Sequence, residues 1–291
     1  MRFFHTLRQD LNKTMLNAGF GAAALLTCLL CFTAGAYYDP AHDKSYSVFE
    51  ALSTLDRPFI EAHEDFASIR LFSNGLSGYV SMFLPIIVAF PFMLSFCAER
   101  TNGLMRFTIS RSGRVSYYLS KFCASFISGG AAVAIGYALF GVLMLLIFPS
   151  VYSYGLDPEQ LEWIIPDGQK VAAARAMASA FTYGAFSTLP AFFISSFCRN
   201  PYIITCLPFM LTYVWSTAIN KATAKAFEQG DFGIYEKLMP YMPDSPRQIA
   251  FMDFGALTEQ NKTLLIFNGI YFFALLLGFA AVMELRRDKG A

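Results

Sequence analysis

The sequence predicts an all-α membrane protein: six transmembrane helices, both termini on the cytoplasmic side, and one domain over residues 1–291. Three observations predict it. The first is composition, with 55% hydrophobic residues against 15% charged. A soluble domain carries about 25% charged residues, and a lipid-facing surface requires the deficit, because a charge in hydrocarbon costs several kcal/mol. The second is a set of six apolar stretches, at about 16–36, 77–97, 120–148, 172–197, 202–220 and 263–283. Each is near the ~20 residues a helix needs to cross a bilayer. The third is the sorting of Lys and Arg. The N-terminus, 98–121, 198–201 and the C-terminus together hold twelve basic and four acidic residues, and the remaining segments hold ten and seventeen. Excess Lys and Arg marks the cytoplasmic side, which places the outside loops at about 37–76, 149–171 and 221–262. The expected location is the cell membrane, with several crossings.

In chain order, the first apolar run is longer than the ~7–15 residues of a signal-peptide core, so it reads as a retained helix. Cys28 and Cys31 form a C-x-x-C within it, flanking Leu29 and Leu30, and read as small apolar packing residues. The other cysteines also lie in or beside apolar runs, which suggests no disulfide framework. In the first outside loop the spacing of Tyr46, Val48, Phe49, Leu52, Leu55, Phe59 and Ile60 predicts a short amphipathic helix. His42 and His63 sit among acids there and read as part of a solvated loop in preference to a metal site. Pro85 and Pro91 in the second span, Pro190 in the fourth and Pro208 in the fifth each remove a backbone hydrogen bond and can kink their helices.

Small residues form strips in two spans. Ser125, Gly129 and Val133 adjoin Ala132 and Gly136 in the third, and Ala172, Ala176, Ala180 and Gly184 recur every four residues in the fourth. Such strips let helix backbones approach closely, and packing within one chain explains them without a dimer. The last outside loop, broken by Pro240, Pro243 and Pro246, predicts helices near 222–229 and 246–258.

No apolar stretch carries a charge near its middle, which argues against an ion-driven pump and against metal-dependent catalysis within the membrane. The polar groups available there include Ser187, Thr188, Thr212, Tyr213, Ser216 and Thr217. They are candidates to line a path for an amphipathic substrate, with internally bonded packing as the alternative. A net charge of +1 points to no nucleic acid. There is no phosphate-binding glycine loop, nucleophile elbow or H-E-x-x-H. No catalytic residue, metal site or cofactor is therefore expected on this chain.

The most informative stretch is the polar segment 98–118, between the second and third spans on the basic side. Leu104, Phe107 and Ile109, with Val115 and Leu119, provide an apolar face, and Arg100, Arg106, Arg111 and Arg114 a basic one. Such a segment lies in the interfacial plane; a topology-setting basic loop is the simpler reading. Glu99 and Gly103, then Gly113-Arg114, then Tyr118-Leu119-Ser120-Lys121 resemble, in order and approximate spacing, the segment after the second helix in permease subunits of type-2 ABC exporters. Leu104 stands where that family commonly has Thr.

The resemblance implies six helices with both ends inside. It also implies an amphipathic interfacial helix over Phe3 to Leu16, and a cytoplasmic coupling helix that docks on cytosolic ABC ATPase subunits. The residues implied in coupling are Glu99, Arg100, Gly103, Leu104, Phe107, Arg111 and Arg114. ATP and Mg would be bound by the partner ATPase, and a second identical or homologous permease would complete the pathway along the second and fifth spans. The function expected is export of a peptide, lipid or drug. The alternative is a non-transporting sensor or immunity scaffold that binds a ligand or protein through the outside loops.

Overall fold

A computed structural model describes residues 2–166, 168–228, 230, 233–255 and 257–287. Asp288 and Lys289, and the side chains of Arg2, Arg286 and Arg287, all counted above on the basic or acidic roll of one side, lie outside the described residues, as do four positions of the last outside loop. The chain is a multi-pass helical membrane protein. Four helices are individually long and apolar enough to cross a bilayer, and two bent pairs bring the number to six if each pair is one span.

The helices are α1 (Arg2–Met15), α2 (Ala18–Cys31), α3 (Val48–Thr54), α4 (Arg57–Ala62), α5 (Ser68–Asn74), α6 (Tyr79–Ile87), α7 (Phe90–Thr101) and α8 (Leu104–Ser112), followed by α9 (Arg114–Ile147), α10 (Pro158–Ile164), α11 (Gln169–Ser195), α12 (Pro201–Glu228), α13 (Gly233–Leu238) and α14 (Glu259–Arg287). α9 is the central mast. At 1.5 Å per residue its 34 residues run for about 50 Å, and α1, α2 and α11 all pack along it.

The close approach of α9 and α11 follows from the small-residue strips. A Cβ on Gly184 would lie 2.6 Å from Val133 Cγ2 and 2.9 Å from the Gly129 carbonyl, and one on Gly129 would strike the Thr188 hydroxyl. The strips predicted for these two spans thus face each other within the chain. Gly136 is likewise pressed against the Ala24 backbone of α2.

α1 and α2 meet at 60°, with Asn17 capping α2 through the Gly19 amide at 3.2 Å. α2 has only 14 residues, about 21 Å, so the first apolar helix is shorter than the stretch 16–36. Past Cys31 the chain turns, and it becomes a strand at Gly35. This strand, β1 (Gly35–Asp39), pairs antiparallel with β2 (Lys44–Ser47), so the structure departs from an all-α reading by one hairpin. Asp43, at φ 49°, makes the turn.

Past the hairpin, Ser47 and Glu50 cap α3 reciprocally. Two short helices, α3 and α4, stand where one was expected, divided before Pro58, which sits at the start of α4. Tyr37, Phe59, Phe66 and Phe148 make a chain of ring contacts at 5.5–6.4 Å at the C-terminal end of α9. The segment 221–262 also differs from expectation. Of the helix expected near 222–229, residues 222–228 extend α12 as far as Glu228, with no proline or glycine between Pro208 and that end to stop it, and position 229 lies outside the described residues. The helix expected over 246–258 is a 3₁₀ segment, Ser245–Phe251, folded onto α11, where the Thr182 hydroxyl donates to the Pro246 carbonyl at 3.0 Å.

One of the four span prolines lies at a helix boundary and three lie within continuous helices. α6 ends and α7 begins around Pro91, and Pro85, Pro190 and Pro208 lie inside α6, α11 and α12. Pro85 cannot donate to the Ser81 carbonyl one turn earlier. Tyr183 of α11 supplies the donor instead, its hydroxyl 3.3 Å from that oxygen, which is how a broken turn is tolerated away from water.

Candidate functional site

At one end of the bundle α1, α7 and α9 converge on four charges. Lys121 Nζ lies 2.7 Å from Asp10 Oδ1 and 2.6 Å from Glu99 Oε2, and Lys13 Nζ lies 3.0 Å from Glu99 Oε1. Ser120 donates to Asp10 Oδ2 at 3.1 Å. Lys121, Asp10 and Glu99 are only 3%, 4% and 7% exposed. The helical spacing explains how Asp10 arrives there: α1 turns its polar stripe Thr6, Asp10 and Thr14 inward, against α9. Burial raises the Glu99 carboxyl, but Lys121 and Lys13 more than offset this and hold it below the ordinary carboxylate range.

Arg100, the next residue, points to another helix. Its guanidinium donates to the Ser195 carbonyl, and to the Cys198 carbonyl at 3.1 Å. These are orphan acceptors at the C-terminal end of α11, where a cation is also favoured by the helix dipole. Glu99 and Arg100 together tie the end of α7 to α1, α9 and α11.

Beyond this anchor lies α8. Gly103 at φ +67° precedes it and Gly113 at φ +83° follows it, so both of its ends turn through backbone that glycine adopts without strain. Its inward side is Met105, Ile109 and Ser112. Its outward side presents Leu104 and Phe107, 50% and 71% exposed, with Arg111 exposed alongside and Val115 just past its end, while Arg106 and Arg114, also exposed, border the cavity that Met105 and Ile109 line. Ile109 therefore leaves the apolar face predicted for it and packs inward, toward the cluster around Phe96 and Tyr117.

The segments counted as one basic side share this end of the molecule. α1 and 98–121 are joined by the ion pairs, 198–201 by Arg100, and the end of α14 by Tyr118, whose hydroxyl lies 3.5 Å from Glu284 Oε1.

The other candidate residues also meet. Thr212, Tyr213, Ser216 and Thr217 line one cavity of about 310 Å³ with Ser81 and Tyr183. It lies where α12 packs on α6, beside the stacked rings of Phe83 and Phe209 at 5.7 Å. Ser187 and Thr212 reach a smaller space of about 30 Å³ between Pro85 and Pro190, roughly the room for one water. Thr188 does not join them: it is fully buried, donates to the Gly184 carbonyl at 2.8 Å and fills the α9–α11 contact.

The partners of Glu99, at positions 13 and 121, escaped sequence reasoning. Their one available signal was that Asp10 and Glu99 are acids immediately outside apolar runs on an otherwise basic side. Among the described residues no three His, Cys, Asp or Glu groups converge to hold a metal ion. No family model matches the chain, and no curated protein matches it.

Proposed function

We propose that the chain is the permease subunit of a type-2 ABC exporter, set in the cell membrane with six spans and both ends in the cytoplasm. It takes force from separate ATPase subunits through α8 and moves an amphipathic substrate past the cavity at Thr212–Thr217. One observation carries the reading: α8 is two-sided. Its outer face offers Leu104, Phe107 and Arg111 to a partner, while the residues at its root, Glu99 and Arg100, are held by α1, α9 and α11. A push on the outer face of such a helix reaches three elements of the bundle at once. The cavity between α6 and α12 joins the hydroxyls of Thr212, Ser216 and Thr217 to Met82, Met242 and two tyrosines, with a single carboxylate, Asp244, on its wall, a mixture that suits an amphipathic peptide, lipid or drug.

The test uses the native complex. Leu104→Asp with Phe107→Asp puts charge on exposed positions and spares the fold. It is expected to abolish co-purification of the ATPase and to reduce ATP-driven transport in proteoliposomes at least tenfold. Cys introduced at exposed Ser110 should react only with reagents that reach the cytoplasm. A double variant that still holds its ATPase and transports normally refutes docking through α8.

A second reading, a sensor or immunity scaffold, is favoured by a cavity of about 1200 Å³ at the other end, lined by Phe32, Phe49, Leu52, Tyr79 and Met82. Native purification that recovers ligand in that cavity and no ATPase would select it.

A further inference from the structure

We propose that the cavity on the inner side of α8 binds the phosphate headgroup of an anionic phospholipid in the leaflet at α8. The proposal rests on the topology given above, which sets that leaflet as the cytoplasmic one.

The cavity has a volume of about 860 Å³, and Arg100, Arg106, Arg114 and Arg199 line it. These four come from α7, α8, the first turn of α9 and the turn before α12, so the fold gathers them from separate stretches. Arg100 is engaged by the α11 carbonyls. Arg106, Arg114 and Arg199 make no ion pair among the described residues. The carboxylate nearest the lining in the bonding pattern is Glu284, which accepts from the lining Tyr118 at 3.5 Å. Like charges around one void repel one another, and an anion placed among them turns that cost into attraction. Guanidinium groups suit phosphate in particular, because paired N–H donors match two of its oxygens.

Two features point to a lipid as the carrier of the phosphate. Met105, Ile109 and Met283 give the same cavity an apolar wall, which would match a glycerol backbone and the start of acyl chains. Three positions past Arg199 and two past Met283, Tyr202 and Leu285 are 78% and 73% exposed, on helices whose apolar stretches face outward almost throughout. The cavity thus adjoins lipid-facing surface. Basic pockets of this kind on the cytoplasmic side hold anionic headgroups.

The purified protein would be placed in nanodiscs of phosphatidylcholine with and without phosphatidylglycerol, and retained lipid read by native mass spectrometry after detergent release. The wild type should retain phosphatidylglycerol, and Arg106→Gln/Arg114→Gln/Arg199→Gln should lose at least tenfold. Lys170→Gln/Lys221→Gln, which removes exposed charge elsewhere, should retain it. The triple variant leaves Arg100 in place, and its melting temperature in phosphatidylcholine checks that it folds. Equal retention by wild type and triple variant overturns the proposal. Thermal stabilisation of the detergent-solubilised protein by inorganic phosphate equal to that by the lipid overturns the lipid assignment. If the triple variant keeps its lipid and loses its ATPase, the cavity belongs to a protein contact and the proposal fails. No arm needs ATP hydrolysis, so failure of the transport reading leaves this outcome readable.

Discussion

α9 and α11 differ from α12 and α14 in a way that their shared apolar character conceals. In α11 56% of the most apolar stretch is buried, and in α12 and α14 only 11%. Side-chain size separates the pairs. α9 and α11 touch through Gly129 and Val133 against Gly184 and Thr188, whereas α12 turns out Met210, Leu211 and Val214, and α14 turns out Ile266, Ile270, Phe273 and Leu277. In a bilayer no hydrophobic force distinguishes a neighbouring helix from lipid, so association depends on how closely backbones approach. The inner pair is built for approach and the outer pair for solvation by acyl chains.

α9 of the inner pair also anchors the buried charges of α1 and α7 through Lys121, and the strongest way to break the comparison is there. Lys121→Met leaves Asp10 and Glu99 facing each other in a buried site without their shared cation. Breaking a buried pair in this way costs about 3–5 kcal/mol. The variant should lose most of its folded yield, or melt far below the wild type in detergent. A variant with wild-type melting would mean that water reaches the site and that the end of the bundle is open.

Next in size is Gly184→Val. Overpacking at such a contact costs about 1–3 kcal/mol, since Val133 and the Gly129 carbonyl have no room to retreat. The same change at Gly269 of α14, where added atoms meet open space, should alter stability little. Thermal melts of the two variants sharpen the contrast between inner and outer helices. Equal losses would erase it.

A smaller effect is expected from acid. The Glu99 carboxyl is held below its ordinary value of 4.5, so the folded form binds this proton less readily than the unfolded one. The stability it adds is complete above about pH 4.5 and is lost as pH falls through the depressed value. Glu99→Gln should therefore be less stable than the wild type at neutral pH, with the gap closing in more acid buffer. A gap constant from pH 7 to below 4 would show that the carboxylate charge contributes nothing.

The sequence made the inner pair legible and left the outer loops partly obscure, for physical reasons. The strip at Gly129 and the strip at Gly184 are periodic at helical spacing, and periodicity survives without coordinates. The ion pairs join residues 86 and 111 positions apart, and nothing local in Asp10 or Lys13 says which helix end they will meet. The hairpin at 35–47 lies almost wholly before the pattern that predicts a helix, which begins at Tyr46, and its pairing of Tyr37 with Tyr46 is a contact across a turn. The extension of α12 was readable in part: the sequence predicts a helix near 222–229, and nothing between Pro208 and Glu228 breaks its continuity with the fifth span. Glu99 and Gly103 were recognised by pattern, and the structure gives them unlike roles, one locked by lysines and the other a turn. The four polar residues of α12 were chosen for lying within a span, and their convergence on one cavity with Tyr183 followed only from the packing of α12 on α6 and α11.

The smallest effect on stability should come from the outer pair, and it carries the most about assembly. Leu211→Ala with Val214→Ala removes exposed side chains and should change the stability of the single chain by no more than about 0.5 kcal/mol. α12 and α14 look equivalent by exposure, but of the two only α12 lines the cavity at Thr212–Thr217. If two permeases meet where substrate passes, the seam belongs on α12 and not on α14. Met210→Cys should then cross-link two copies under mild oxidation in a background without the native cysteines, and Ile270→Cys should not. The α12 double variant, although still folded, should reduce that cross-link. Cross-linking at both positions, or at neither, would make the two helices ordinary lipid faces and leave the cavity at no seam.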